Sequence, residues 1–72
     1  MKKLTFETDE SSNIAKVDYD FKECNLDITF KNGGVYRYLG VPFDTVSTLI
    51  SAKSIGKEFC MLIKNKYTGV KK

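Results

Sequence analysis

Histidine is missing altogether from the sequence. With it go the usual zinc-ligand patterns and the side chain most often used as a general base. Tryptophan is also missing, and proline occurs once, at Pro42. The two cysteines, Cys24 and Cys60, lie far apart with no metal-like or redox spacing. Both are expected as free thiols, since bridges are rare in reducing compartments. Long apolar runs are lacking too. The longest clear one is Cys60-Met61-Leu62-Ile63, and the Met-Lys-Lys start leads into no stretch of signal length. A cytoplasmic protein that uses no membrane, metal or cofactor is the expectation. There is also no Gly-x-Ser-x-Gly elbow and no phosphate loop ending in Gly-Lys-Ser/Thr, so an enzyme is not expected.

What is present is globular in character. Of 72 residues, 42% are apolar, including five Phe and four Tyr, against a net charge of +3. The chain has room for one domain, spanning 1–72. A domain this small buries about 60% of its unfolded surface, which makes a stabilising homo-oligomer one expected state. The charge is uneven. Residues 1–52 carry six Lys/Arg against eight Asp/Glu, and residues 53–72 carry six Lys against Glu58 alone. A basic end on a near-neutral body suits phosphate or an acidic surface, and suits equally a solvated tail.

Periodicity gives the elements. Alternating apolar and polar residues mark strands at about 3–7, 14–20, 23–31 and 34–39. The polar cluster at 9–13 and Asn32-Gly33-Gly34 supply turns. From Pro42 the period changes. Phe43, Val46, Leu49 and Ile50 share one helical face, and Ile55, Phe59, Leu62 and Ile63 share another behind Ser54 as a cap. Helices are expected at about 42–51 and 54–66, followed by a basic C-terminal tail at 67–72. The class is α+β: an antiparallel meander of three to four strands with two short helices on one face.

The hairpin register decides what Tyr36 and Tyr38 face, because a slip of one residue inverts every side chain. A two-residue Asn32-Gly33 loop pairs Phe30 with Val35. Leu26, Ile28 and Phe30 then join Val35, Arg37 and Leu39 inside, and the tyrosines lie outside with Asp27 and Thr29. A bulged three-residue loop that pairs Lys31 with Val35 turns the tyrosines inward, and Val35 and Leu39 outward. The first register is preferred because five of its six inner residues are apolar. In both, Arg37 opposes the tyrosines.

The segments Ser11-Ser12-Asn13-Ile14, Val17-Asp18-Tyr19-Asp20 and Leu26-Asp27-Ile28-Thr29-Phe30 are followed by Asn32-Gly33-Gly34-Val35-Tyr36-Arg37-Tyr38 and Gly40-Val41-Pro42. Ala52-Lys53-Ser54-Ile55-Gly56-Lys57-Glu58-Phe59 and Ile63-Lys64-Asn65-Lys66-Tyr67 complete the series. In this order, over nearly the whole chain, they resemble the KTSC domain, a module found at the C-terminal end of some lysyl-tRNA synthetases and as small stand-alone bacterial and phage proteins. Asp18 stands where glycine is common in the family, and Val46 near a frequent aromatic; both departures touch a turn or a packing position. The resemblance implies a binding module, and its Tyr-x-Tyr centre and synthetase context point toward RNA.

The candidate residues are Tyr36, Arg37, Tyr38, Lys53, Ser54, Gly56, Lys57, Lys64, Lys66 and Tyr67. Tyrosines stack on bases, a lysine row at spacings of four and seven tracks phosphates, and Ser54-Ile55-Gly56 offers N–H groups to an anion. Each has an ordinary counterpart: strand-forming tyrosines, the solvated side of an amphipathic helix, a common helix start. Asp18 and Asp20 share a strand face as a carboxylate pair or a solvated edge, and Cys60 reads as a buried small hydrophobe. The expected ligand is single-stranded RNA or a small nucleotide, the latter in a pocket or at an oligomer interface. A structural self-association module is a further alternative.

Overall fold

The computed structural model describes residues 3–9 and 13–72. The turn expected at 9–13 falls partly outside them. Alternation produces four strands in sequence: β1 (Lys3–Glu7), β2 (Ile14–Asp20), β3 (Asn25–Phe30) and β4 (Val35–Tyr38). Two helices follow, α1 (Phe43–Ile50) and α2 (Ile55–Phe59), the second running directly into a π-helical turn at Cys60–Lys64. The expected tail instead forms a fifth strand, β5 (Gly69–Lys71), against β4. The sheet is antiparallel throughout in the order β1-β2-β3-β4-β5, with the helices filling the connection from β4 to β5. The α+β class is therefore as read from the sequence, with one strand more.

One sheet face makes the core. Val17, Tyr19, Leu26, Ile28 and Tyr38 are buried there against Val46 and Leu49 of α1, Ile55 and Phe59 of α2, and Ile63 of the π-helical turn. Burial of this apolar set at about 25 cal/mol per Å² is the main force holding helices to sheet. Two backbone devices fix the end where β4 leaves the sheet. The Tyr19 hydroxyl donates to the Val41 carbonyl at 2.6 Å, and the Val41 N–H donates to the Cys24 carbonyl at 2.9 Å. Burial, together with its neighbours Cys24 and Asp20, pushes the Tyr19 phenol up to about 12, so it remains a donor at neutral pH. Cys24 itself holds a left-handed φ of 57°, in a turn whose Lys22 and Glu23 N–H groups are taken up by Asp20 Oδ1.

The preferred hairpin register is corrected by the structure. Leu26 pairs with Tyr38, Asp27 with Arg37 and Ile28 with Tyr36, so the tyrosines join the core face. The loop is Lys31-Asn32-Gly33, closed by Phe30 N–H to the Gly34 carbonyl (2.8 Å) and Gly33 N–H to the Phe30 carbonyl (2.9 Å), so Val35 pairs with Thr29 and with neither Phe30 nor Lys31 as the two expected registers have it. Gly33 takes φ 97°, the left-handed position of a type I turn with a glycine bulge. The physical reason lies in Arg37. The two-residue register would carry its guanidinium under the helices, whereas here it reaches Asp27 on the open face. The inner positions go to two large rings, while Leu39 is left 49% exposed.

The second helix also departs from expectation. The ladder widens at Cys60–Lys64, where Asn65 Nδ2 also donates to the Cys60 carbonyl at 3.4 Å. Pro42 sits at the N-cap rather than the first helical position, its carbonyl accepting from Val46 N–H.

Candidate functional site

Two adjoining clefts open between the hairpin side of the sheet and α2. The first, about 760 Å³, is walled by Phe30, Tyr36, Tyr38 and Phe59. These rings meet edge to face in a chain, Tyr36 to Phe30 (5.8 Å between centroids), Phe30 to Phe59 (5.7 Å) and Phe59 to Tyr38 (5.5 Å). Tyr38 is buried at the back, and Tyr36 is half-buried. Burial, and then the neighbouring Tyr36 and Cys60, raises the Tyr38 phenol above its ordinary value, keeping it protonated. Lys31 lies on the hairpin rim and Lys64 on the helical rim, both exposed. The Lys31 N–H donates to the Asn13 carbonyl at 2.7 Å, which ties the hairpin loop to the start of β2 and sets this rim.

The second cleft, about 650 Å³, lies between β1 and the start of α2. Phe6, Ile50 and Ile55 form its floor, and Lys53 and Lys57 supply its charge. Ser54 caps α2, its Oγ accepting from Lys57 N–H at 3.4 Å. Asn13, Gly56 and Cys60 border both clefts. Cys60 is exposed at this shared border and is not the buried hydrophobe expected of it. Among the described residues lining the two clefts the only charges are Lys31, Lys64, Lys53 and Lys57; no carboxylate is included. A planar apolar wall beside these cations, of which Lys31 Nζ also donates to the Asp9 carbonyl at 3.5 Å, accommodates an aromatic ring carrying an anionic group.

Arg37 stands on the opposite sheet face. Its Nε and Nη2 donate to Asp27 Oδ1 and Oδ2 at 2.9 and 3.1 Å, and Lys72 Nζ reaches Asp27 Oδ2 at 3.2 Å. Burial acts to raise the Asp27 carboxyl, but the hydrogen bonds and charges of Arg37 and Lys72 outweigh it and hold the group below its ordinary value. The same pairing offsets the repulsion of Asp18 directly opposite Asp27. Asp18 accepts from Thr5 Oγ1 (2.7 Å) and Asp20 caps the β2–β3 turn, so both members of the candidate carboxylate pair hold structural bonds. Lys66 and Tyr67 line neither cleft; Tyr67 packs half-buried against the core.

The structure thus gathers Tyr36, Tyr38, Gly56 and Lys64 in one cleft, and Lys53, Ser54, Gly56 and Lys57 in the next. It separates Arg37, Lys66 and Tyr67 from them. Lys31, Asn32, Phe30 and Phe59 lie outside the sequence candidates: the two aromatics read as packing alone, and the hairpin residues as a turn. The signal available was Lys31 next to Asn-Gly, which places a cation at a hairpin tip.

A family model for the KTSC domain matches residues 10–67. The crystal structure of a KTSC domain protein from Yersinia pestis superposes with a TM-score of 0.89 at 34% identity, covering 99% of each chain. A protein of Stutzerimonas stutzeri (strain A1501), described as uncharacterized, is 34% identical over 55 residues, which is 76% of this chain and 78% of that one.

Proposed function

The chain belongs to the KTSC domain family, and from that premise we propose that it is a non-catalytic module binding single-stranded RNA or another phosphate-bearing nucleotide ligand. The observation that carries this reading is the pair of adjoining clefts whose only lining charges, among the described residues, are four lysines. An unpaired base enters beside Tyr36 and Phe30, where base–aromatic stacking is worth about 1–3 kcal/mol, and the lysines take the backbone. Tyr36 is the ring to remove in a test. Tyr38 is buried, so its loss acts on the fold first. Fluorescence anisotropy with a labelled octaribonucleotide at low ionic strength should give saturable binding that weakens with salt and with Tyr36→Ala. Binding that is undetectable, or indifferent to salt, refutes the reading.

The volume of the aromatic cleft, about 760 Å³, favours a second version in which a stand-alone, phage-type accessory protein holds a small nucleotide signal. Mass spectrometry of the purified protein would show a co-purifying nucleotide; repeatedly empty spectra count against it. The exposed Phe21, Phe43 and Leu39 support a homo-oligomer, which light scattering tests through a mass above that of one chain. A cytoplasmic location goes with either ligand. Among the described residues no helix is long and apolar enough to cross a membrane.

A further inference from the structure

We infer that the ligand unit recognised is a dinucleotide step, with one base in the aromatic cleft and the following nucleotide in the cleft beside it. This rests on the nucleotide-binding reading above and specifies its length. The two clefts share the border residues Asn13, Gly56 and Cys60, so they lie side by side along the helix, close enough for neighbouring units of one ligand. Their walls differ. The first presents the rings of Phe30, Tyr36 and Phe59, and the second has Phe6 as its one ring, over aliphatic Ile50 and Ile55. Volumes of about 760 and 650 Å³ each lie in the range of small-ligand pockets, so a single nucleotide in the first leaves the second empty.

Charge points the same way. Lys31 and Lys64 flank the first cleft, and Lys53 and Lys57 the second, with no lining carboxylate in either among the described residues. A nucleoside monophosphate brings at most about two negative charges at neutral pH, enough for one lysine pair. A 5′-phosphorylated dinucleotide adds the bridging phosphodiester, whose charge falls where the ligand passes from one lysine pair to the next.

Titration of the intact protein with 5′-AMP, with pApA and with an octa-adenylate separates the possibilities. The expected result is that pApA binds at least tenfold tighter than 5′-AMP. Lys53→Ala/Lys57→Ala should abolish that advantage, and Lys31→Ala/Lys64→Ala should weaken both ligands. Octa-adenylate binding much tighter than pApA identifies an RNA strand as the source; equal binding identifies a free dinucleotide. If 5′-AMP and pApA bind equally, the dinucleotide inference fails and the nucleotide-binding reading stands. If none of the three binds, that reading fails with it. The comparison on the unsubstituted protein decides the matter even if a variant does not fold.

Discussion

Two single substitutions read out the hairpin register directly: Tyr38→Ala and Leu39→Ala. In the structure Tyr38 is 6% exposed, opposite Leu26, with its ring edge-to-face on Phe59; Leu39 is 49% exposed. Removing a buried aromatic ring costs about 3–5 kcal/mol when the cavity cannot collapse. Collapse is resisted here because Phe59 on one side and the β5 backbone at Gly69 on the other both rest on that ring. Leu39 keeps about half its surface in water, so truncating it forfeits about 1 kcal/mol or less of the 1.5–3 kcal/mol that full burial brings. A 72-residue domain has a total stability of about 4–11 kcal/mol at the usual per-residue value. Tyr38→Ala therefore consumes a large share of it, lowering Tm by about 12 °C or more at about 4–8 °C per kcal/mol. Leu39→Ala should move it by less than about 8 °C. Thermal melts followed by circular dichroism, with urea titrations for the free energies, make the comparison. In the two-residue register Leu39 is the core residue and Tyr38 the exposed one, so the ranking reverses. Leu39→Ala proving the more damaging would refute the pairing of Leu26 with Tyr38.

Further consequences concern the fifth strand, acid and salt. A Cβ placed on Gly69 would meet Tyr38 Cε2 at 2.5 Å and Cζ at 2.8 Å. Gly69→Ala should therefore destabilise the domain by about 1–3 kcal/mol through overpacking, measured by urea unfolding; an unchanged midpoint would mean that β5 does not press on the ring. The Asp27 carboxyl is held below its ordinary value, so its contribution is complete above the unfolded carboxylate pKa and is lost as pH falls through the folded one. Unfolding midpoints taken from pH 5 downward should fall more steeply for the unsubstituted protein than for Asp27→Asn, and parallel curves would contradict the Arg37–Asp27–Lys72 pairing. One phosphate per lysine is the upper bound, a log–log salt slope of about −2.8, or about fiftyfold weaker RNA binding between 50 and 200 mM salt. Lys64→Ala should make the slope shallower by about 0.7, as anisotropy titrations would show.

The parts of the fold that were legible in the sequence are those where period and burial coincide. Leu26, Ile28 and their polar neighbours could only be a half-buried strand, and Phe43, Val46, Leu49 and Ile50 fit only a helix lying on it. The register was not legible, because the turn chemistry of Asn32-Gly33-Gly34 fits several loops, and the one that forms, Lys31-Asn32-Gly33, begins a residue earlier than either expected loop. Counting apolar residues favoured the wrong one by treating Arg37 as a tolerable exception inside. The partner that removes Arg37 from the core, Asp27, lies across the hairpin, and no local pattern links the two. β5 was illegible for a different reason: Gly69-Val70-Lys71 has no alternation to show, and it becomes a strand only because β4 offers it an edge. Part of the candidate site is legible in the sequence, through Tyr36, Tyr38, Gly56, Lys64, Lys53, Ser54 and Lys57. Its remaining wall, Phe30 and Phe59, carries core residues whose other side borders a cleft, and periodicity does not distinguish one from the other.

The register also determines what the Tyr-x-Tyr centre can do. Had the tyrosines faced outward, they would have shared the open sheet face with Asp18, Asp20 and Asp27, where carboxylates repel a phosphate-bearing ligand. Turning inward places Tyr36 and Tyr38 against Phe30 and Phe59, on the side where the lining charges are lysines. The same inversion sends Arg37 to neutralise Asp27 instead of a ligand. The aromatic platform and the basic helix, which on the sequence alone compete as candidate interfaces, thereby become two walls of one path. On the proposed reading, a ligand that uses one wall lies against the other. Tyr36→Ala and Lys64→Ala should therefore affect the same binding event and combine non-additively in a double-mutant cycle. Additive losses would mean that ring and lysine serve separate ligands, and the single-path reading would have to be given up.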